Sequence, residues 1–230
     1  MQAFKYISCH QRENMNEIFP NVYMIRSDIV TENLVPGKKV YDEKLIKEGN
    51  KEYRVWDPFR SKLAAAIRKG LKTFPFQSCN ILYLGASTGT TISHLSDVLK
   101  NKGEIYSVEF SSHAMKKLLV LSEKRENIIP ILGDARKPHE YEDVGEVEVI
   151  YQDVAQPDQD DIIIINAEKF LKKGGYAFVA IKSQSIDVTK KPDEVFETFL
   201  NKVKKQFEVV EKMKLEPFDK DHLFVVLKKK

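Results

Sequence analysis

The sequence predicts an α/β chain. A small β-rich region occupies residues 1–55, and residues 56–230 form a doubly wound sheet of seven strands with an antiparallel last strand. Three observations predict this. From residue 57 onward, apolar runs of buried-strand type alternate with stretches of helical spacing, the signature of a parallel sheet covered on both faces. The last two runs, Phe207–Leu215 and Leu223–Leu227, are joined by a link with room for no helix, which suits an antiparallel pair. Before Trp56 the runs are short and broken by Pro36-Gly37 and Gly49-Asn50.

In order, the N-terminal region offers short strands at Val22–Ile25, Ser27–Val30, Lys39–Tyr41 and Tyr53–Val55. Asp57-Pro58 reads as a helix start, a capping side chain followed by Pro at the first helical position. Phe59, Leu63, Ala66, Ile67, Gly70 and Leu71 follow at one-face spacing. Ile81–Leu84 is a buried strand, Thr91–Lys100 a helix, Glu104–Val108 a strand and Ser112–Arg125 a helix. Ile128–Leu132 is a strand despite Pro130, and a short one for that reason. Val147–Tyr151 is a strand. Gln159–Leu171 holds four consecutive isoleucines, which strands also favour, but its length and its place between two strands predict a helix. Tyr176–Ile181 is a strand and Pro192–Gln206 a helix that turns Val195, Phe196, Phe199, Leu200 and Val203 inward.

Composition removes several classes of function. Hydrophobic residues are 42% and charged residues 31%, which is a globular balance. No run approaches the roughly 20 apolar residues of a membrane helix. The first residues lack a leader-type apolar core, so a cytoplasmic protein with no membrane partner is expected. Cys9 and Cys79 form no CxxC pair, which argues against a disulfide framework or a zinc knuckle; Cys79 is expected to be inert packing. No metal site is indicated. The net charge of +3 is modest, but residues 1–75 carry 14 Lys and Arg against nine Asp and Glu. Such a bias permits a polyanionic partner and is equally what an ordinary solvated surface shows.

Chemistry concentrates at strand ends. Ile81–Leu84 runs into Gly85-Ala86-Ser87-Thr88-Gly89-Thr90-Thr91, a glycine-rich turn that opens a helix. Such a turn lets backbone approach a ligand, and the helix start presents free N–H groups. A tight strand–helix connection needs the same glycines. The G-x-G-x-x-G fingerprint of dinucleotide folds lacks its middle glycine here, which weighs against an NAD(P)-dependent oxidoreductase. Glu109, just beyond the second strand, can accept both hydroxyls of an adenosine ribose. Asp134, just beyond the third, suits an adenine amino group, with the next backbone N–H facing a ring nitrogen. Each acid alone reads as a turn residue. Together, in order, they describe a pocket for S-adenosylmethionine on a class I, Rossmann-like methyltransferase fold. Asp153 and Lys182 follow the fourth and fifth strands. Methyl transfer is an in-line displacement in which the enzyme mainly positions the acceptor. A ribose 2′-hydroxyl is a weak nucleophile, and a partly desolvated Lys182 held by Asp153 could take its proton. A structural Lys–Asp pair would look the same in sequence.

The runs Tyr83–Thr91, Val108-Glu109-Phe110-Ser111, Asp134-Ala135-Arg136, Asp153-Val154-Ala155-Gln156-Pro157-Asp158-Gln159 and Pro58-Phe59-Arg60-Ser61-Lys62-Leu63 together resemble the fibrillarin family over essentially the whole chain. The short N-terminus, without a Gly/Arg-rich tail, is similar to the archaeal form. The resemblance implies 2′-O-methylation of ribosomal and some transfer RNA, directed by box C/D guide RNA. It implies cofactor contacts at Thr90, Thr91, Glu109, Phe110, Asp134, Ala135, and Asp153, Val154, Ala155 and Gln156, beside the loop residues Gly85, Ala86 and Gly89. Related 2′-O-methyltransferases use a Lys-Asp-Lys-acid tetrad. Lys62, Asp153 and Lys182 take its first three places by analogy, and the fourth falls on His222, which is not an acid. The implied partners are a Nop-family scaffold, a kink-turn-binding ribosomal-type protein and the guide RNA. Exposed strands in the N-terminal region make a homodimer a further expectation. A glutamine methyltransferase or a non-catalytic particle scaffold would carry the same cofactor lobe.

Overall fold

The computed structural model describes residues 15–230; Cys9 and the first residues, on which the expectation about a leader rests, lie outside them. Two sheets form. The first is antiparallel, in the order β1 (Met15–Phe19), β2 (Val22–Ile25), β3 (Asp28–Glu32), β5 (Lys51–Val55), β4 (Leu45–Glu48). Gly49-Asn50 makes the tight β4–β5 hairpin, with Gly49 at φ +59°. Two of these strands, β1 and β4, carry no clear alternation in sequence; they are the sheet's edges, where one ladder suffices. The expected strand Lys39–Tyr41 is a loop instead. The Glu43 carboxylate accepts the N–H groups of Val40 and Tyr41 at 2.8–3.0 Å and takes the place of a strand partner.

The first helix, α1 (Lys62–Arg68), begins four residues later than expected. Asp57 accepts the N–H of Phe59 at 2.8 Å and closes a local turn. Ser61 is the true cap, and its Oγ also meets Thr91 Oγ1 at 2.9 Å. Then follow β6 (Ile81–Leu84), α2 (Thr90–Leu99), β7 (Ile105–Glu109), α3 (Ser112–Ser122), β8 (Ile128–Leu132), a 3-10 segment (Pro138–Val144), β9 (Val147–Gln152), α4 (Gln159–Phe170), β10 (Leu171–Lys182), the single turn α5 (Ser183–Ile186), α6 (Pro192–Val203), β11 (Phe207–Lys214) and β12 (His222–Lys229). The seven-stranded sheet has the order β11-β12-β10-β9-β6-β7-β8. All its pairs are parallel except β10–β12 and β11–β12. Pro130 is tolerated because β8 is an edge. The four isoleucines are helical, with Ile162 and Ile163 fully buried against the sheet.

The N-terminal sheet shares a core with the larger one: Val22, Ile29 and Trp56 pack with Leu95, Val98 and Leu99 of α2. A buried ionic network lies at the same junction. Arg54 reaches Glu43 at 2.6 Å and Asp97 at 2.8 Å, and Arg125 reaches Asp97 at 2.6 Å. His94 stacks on Trp56 and is bonded to Thr31 and Tyr41. Cys79 is buried and its thiol is pushed up to about 12 by burial, an inert state. Among the described residues no helix is long and apolar enough to cross a membrane.

Candidate functional site

A cleft of about 620 Å³ opens at the carboxyl ends of β6, β7, β9 and β10. Strand order reverses at β6, flanked by β9 on one side and β7 on the other, which is where open α/β sheets bind ligands. Gly85 sits at φ +85°, and a Cβ there would stand 2.4 Å from the Asp153 carbonyl oxygen. Only glycine lets the β6 and β9 loops approach so closely. Gly89 has a different task. At φ +88° it caps α2, and its Cα faces Leu118 and Leu121 of α3 rather than the cleft.

Glu109 is buried at the end of β7 and lines the cleft. One carboxylate oxygen accepts Ser87 N–H at 2.7 Å and the other accepts Ser111 N–H at 2.8 Å. The side chain therefore fixes the glycine-rich loop against β7, and each oxygen keeps a lone pair for a hydroxyl donor. Phe110 beside it is 69% exposed, an apolar face open to the cleft. Asp134 is paired with the Arg136 guanidinium at 2.7 Å, which holds its carboxyl below the ordinary range. Its neighbours Gly133 and Ala135, rather than Asp134, line the cleft. The Ala135 carbonyl is pinned by Asn166 at 2.8 Å and Tyr141 at 3.3 Å, while its N–H has no acceptor among the described residues. Gln156 lines the cleft with a buried side-chain oxygen that has no partner among the described residues. Paired-off hydroxyl acceptors, an open aromatic face, a free backbone N–H and an orphaned amide oxygen fit S-adenosylmethionine, with its ribose, adenine and amino-acid ends.

The other end of the cleft joins Lys62, Asp153, Lys182 and His222, from four separate elements. Lys62 Nζ lies 2.9 Å from Asp153 Oδ1 and 3.9 Å from Asp219 Oδ2. Burial pulls this ammonium down, but Asp153 and Asp219 outweigh it, so it is held above the ordinary lysine value and stays charged. Asp153 thus holds Lys62 and not Lys182, contrary to the sequence expectation. Lys182 is also not desolvated: it is exposed at the cleft, and its ammonium has no hydrogen-bond or ionic partner among the described residues. It stands directly opposite His222 in the β10–β12 ladder. His222 is buried, with Nδ1 2.7 Å from the Lys220 carbonyl and 2.9 Å from Asp219 Oδ1. These two oxygen acceptors on Nδ1 fix the orientation of the ring. Asp219 was absent from the residues expected from sequence. In the Pro217-to-Asp221 link it looks like a turn former, and only folding places it between Lys62 and His222.

The sequence profile of the family described as Fibrillarin matches residues 11–230. The chain is 51% identical to the fibrillarin-like rRNA/tRNA 2′-O-methyltransferase of Pyrococcus abyssi, over 92% of this chain and 96% of that one. It is 52% identical to the protein of the same name from Methanopyrus kandleri, over 92% and 94%. Among solved structures, a Methanococcus jannaschii fibrillarin pre-rRNA processing protein superposes with a TM-score of 0.90 at 51% identity, covering 94% of this chain and 97% of that one. Aeropyrum pernix fibrillarin with natively bound S-adenosyl-L-methionine does so at 0.82 and 44%, covering 90% and 92%. The fibrillarin of a fibrillarin/Nop5p complex does so at 0.86 and 41%, covering 94% and 100%. With a profile spanning nearly the whole chain, relatives at half identity and the same fold, this chain belongs to the fibrillarin family.

Proposed function

We propose that this protein transfers the methyl group of S-adenosylmethionine to ribose 2′-hydroxyls of ribosomal and transfer RNA, as the catalytic subunit of a cytoplasmic box C/D guide particle. The observation that carries the reading is the convergence of Lys62, Asp153, Lys182 and His222 on one cleft with Glu109 at its other end. The cofactor supplies an electrophilic methyl on sulfur. Glu109 would hold the ribose hydroxyls, and Phe110 and the Ala135 N–H would hold the adenine. The Gly85–Ala86 turn and the Asp153–Gln156 loop make the facing walls, and Thr90 and Thr91 present the start of α2. Asp134, already tied to Arg136, keeps the adenine wall rigid. The Lys62–Asp153 pair fixes the floor, and Lys182 meets the incoming ribose with an uncommitted ammonium. His222, held at the cleft by Asp219 and the Lys220 carbonyl, is the group that receives the hydroxyl proton.

The M. kandleri and P. abyssi names and the Nop5p complex support RNA as substrate and a Nop-family scaffold as partner. The kink-turn protein and guide RNA follow from the family resemblance. The open edges β1 and β4 leave room for pairing of two copies.

The test is transfer of labelled methyl from S-adenosylmethionine to RNA, with and without scaffold, kink-turn protein and a matched guide. Label at one ribose in the complete particle is expected. Lys182→Met should cut transfer by about two orders of magnitude, the cost of a misplaced acceptor, while cofactor binding persists. Label on protein, or none while cofactor binds, would reject the reading.

A further inference from the structure

A second groove, of about 710 Å³, adjoins the cleft and shares Arg60 with it. One wall is the loop carrying Lys38 and Lys39; the other is the exposed face of α3 and its C-terminal extension, with Lys116, Lys117 and Lys124. Lys116 and Lys124 are eight residues apart, about 12 Å along a helix axis. Asp42 is the only acid on its lining. None of these six cations has an ionic partner among the described residues, whereas Lys202 is bridged to Asp160 and Asp161 and Lys169 to Glu142 on other faces. The floor is apolar, with Val40 and Val120, and the Arg60 guanidinium lies over the Tyr41 ring where groove meets cleft.

We infer that this groove is the exit track for the substrate RNA strand, whose phosphates beside the target ribose leave the cleft past Arg60 and run between the two lysine walls. The inference rests on the RNA methyl-transfer reading. A strand presenting one ribose at Lys182 must continue out of the cleft, and this is the exit that combines continuity with positive charge. Lysines that no carboxylate neutralises match a phosphodiester chain. An aromatic ring topped by a guanidinium offers a stacking surface that is indifferent to base identity. An acidic protein segment would also meet the charge, but it would have no reason to continue into the catalytic cleft.

The experiment measures binding of a fluorescent single-stranded RNA to the full chain across a salt series. The variants are Lys116→Ala/Lys117→Ala/Lys124→Ala, Lys38→Ala/Lys39→Ala on the opposite wall, and a control, Lys204→Ala/Lys205→Ala/Lys212→Ala, at exposed sites just after α6 and on β11. Cofactor binding is followed in each as a check on folding. For the α3 triple variant, the slope of log K against log salt should fall by about 2, at roughly 0.7 per phosphate contact. The loop variant should lower it by about 1, and both effects should be alike for unrelated sequences. The control should change nothing. If the groove variants keep the wild-type slope, or lower it no more than the control, the inference is overturned. It is equally overturned if they retain RNA binding but lose the Nop-family scaffold, which would make the groove a protein dock. Failure of the wild type to methylate RNA in the assembled particle would instead remove the underlying reading.

Discussion

At the residue scale, Glu109 is the pivot of the proposed cofactor end. Its two oxygens hold Ser87 and Ser111 and still face the cleft. Glu109→Gln keeps one acceptor and replaces the other by a donor aimed at an N–H. Titration calorimetry should show S-adenosylmethionine affinity reduced by about 1–3 kcal/mol, the usual cost of an unmet hydrogen bond. Unchanged affinity would remove Glu109 from the ribose site. Glu109 was legible in the sequence because it directly follows a buried strand. The pairing of Lys62 with Asp153 was not, because 91 positions separate them and only the packing of α1 against the sheet's carboxyl edge joins them. Asp219 was invisible for the same reason, its partners lying in an early helix and a late strand.

At the element scale, the β6–α2 loop sets how deep the cleft is. Gly85 permits contact with the Asp153 backbone. Gly85→Ala should lower stability by about 1–3 kcal/mol from left-handed strain. It should also weaken cofactor binding, because the loop must move off β9; thermal melts with and without S-adenosylmethionine would check both. A variant that melts and binds like the parent would contradict the geometry. The central strands β6, β9 and β10 were readable because buried parallel strands are continuous apolar runs, and β11 because it alternates. Lys39–Tyr41 misled because its polar groups are satisfied by Glu43 rather than by a neighbouring strand. The α1 start misled because Asp57 spends its capping oxygen on its own turn, and Ser61 does the capping.

At the scale of the whole molecule, the N-terminal sheet and the catalytic unit are bolted together by buried charge. Burial pushes His94 well below its ordinary value, and Arg54 and Arg125 push the same way, so it is neutral in the fold. Glu43 is held low: burial opposes this, but Arg54 and the Tyr41 N–H prevail. Both folded values are depressed, so both groups contribute stability at neutral pH that is lost on acidification. The unfolded chain takes up a proton at His94 as pH falls below 6.5, and at Glu43 below 4.5, before the fold does. The melting temperature should therefore decline from pH 7 to 5 and more steeply below. A flat profile from pH 7.5 to 5 would mean that His94 is not confined as a neutral ring.

Among the strands, β12 comes latest in chain order, yet it lies inside the sheet, between β10 and β11. It brings His222, and the link before it brings Asp219. A chain growing from the ribosome therefore builds its cofactor lobe from Gly85 to Gln156 first. For the time needed to add some seventy more residues it holds a sheet with an unfilled slot at one side. Once β10 is complete, and for about the forty residues until β12 begins, it offers a bare apolar edge to any passing strand. Birth order thus separates a stage that can hold S-adenosylmethionine from a later one that can use it, and the newborn chain is best shielded by early docking of other particle components or by chaperones.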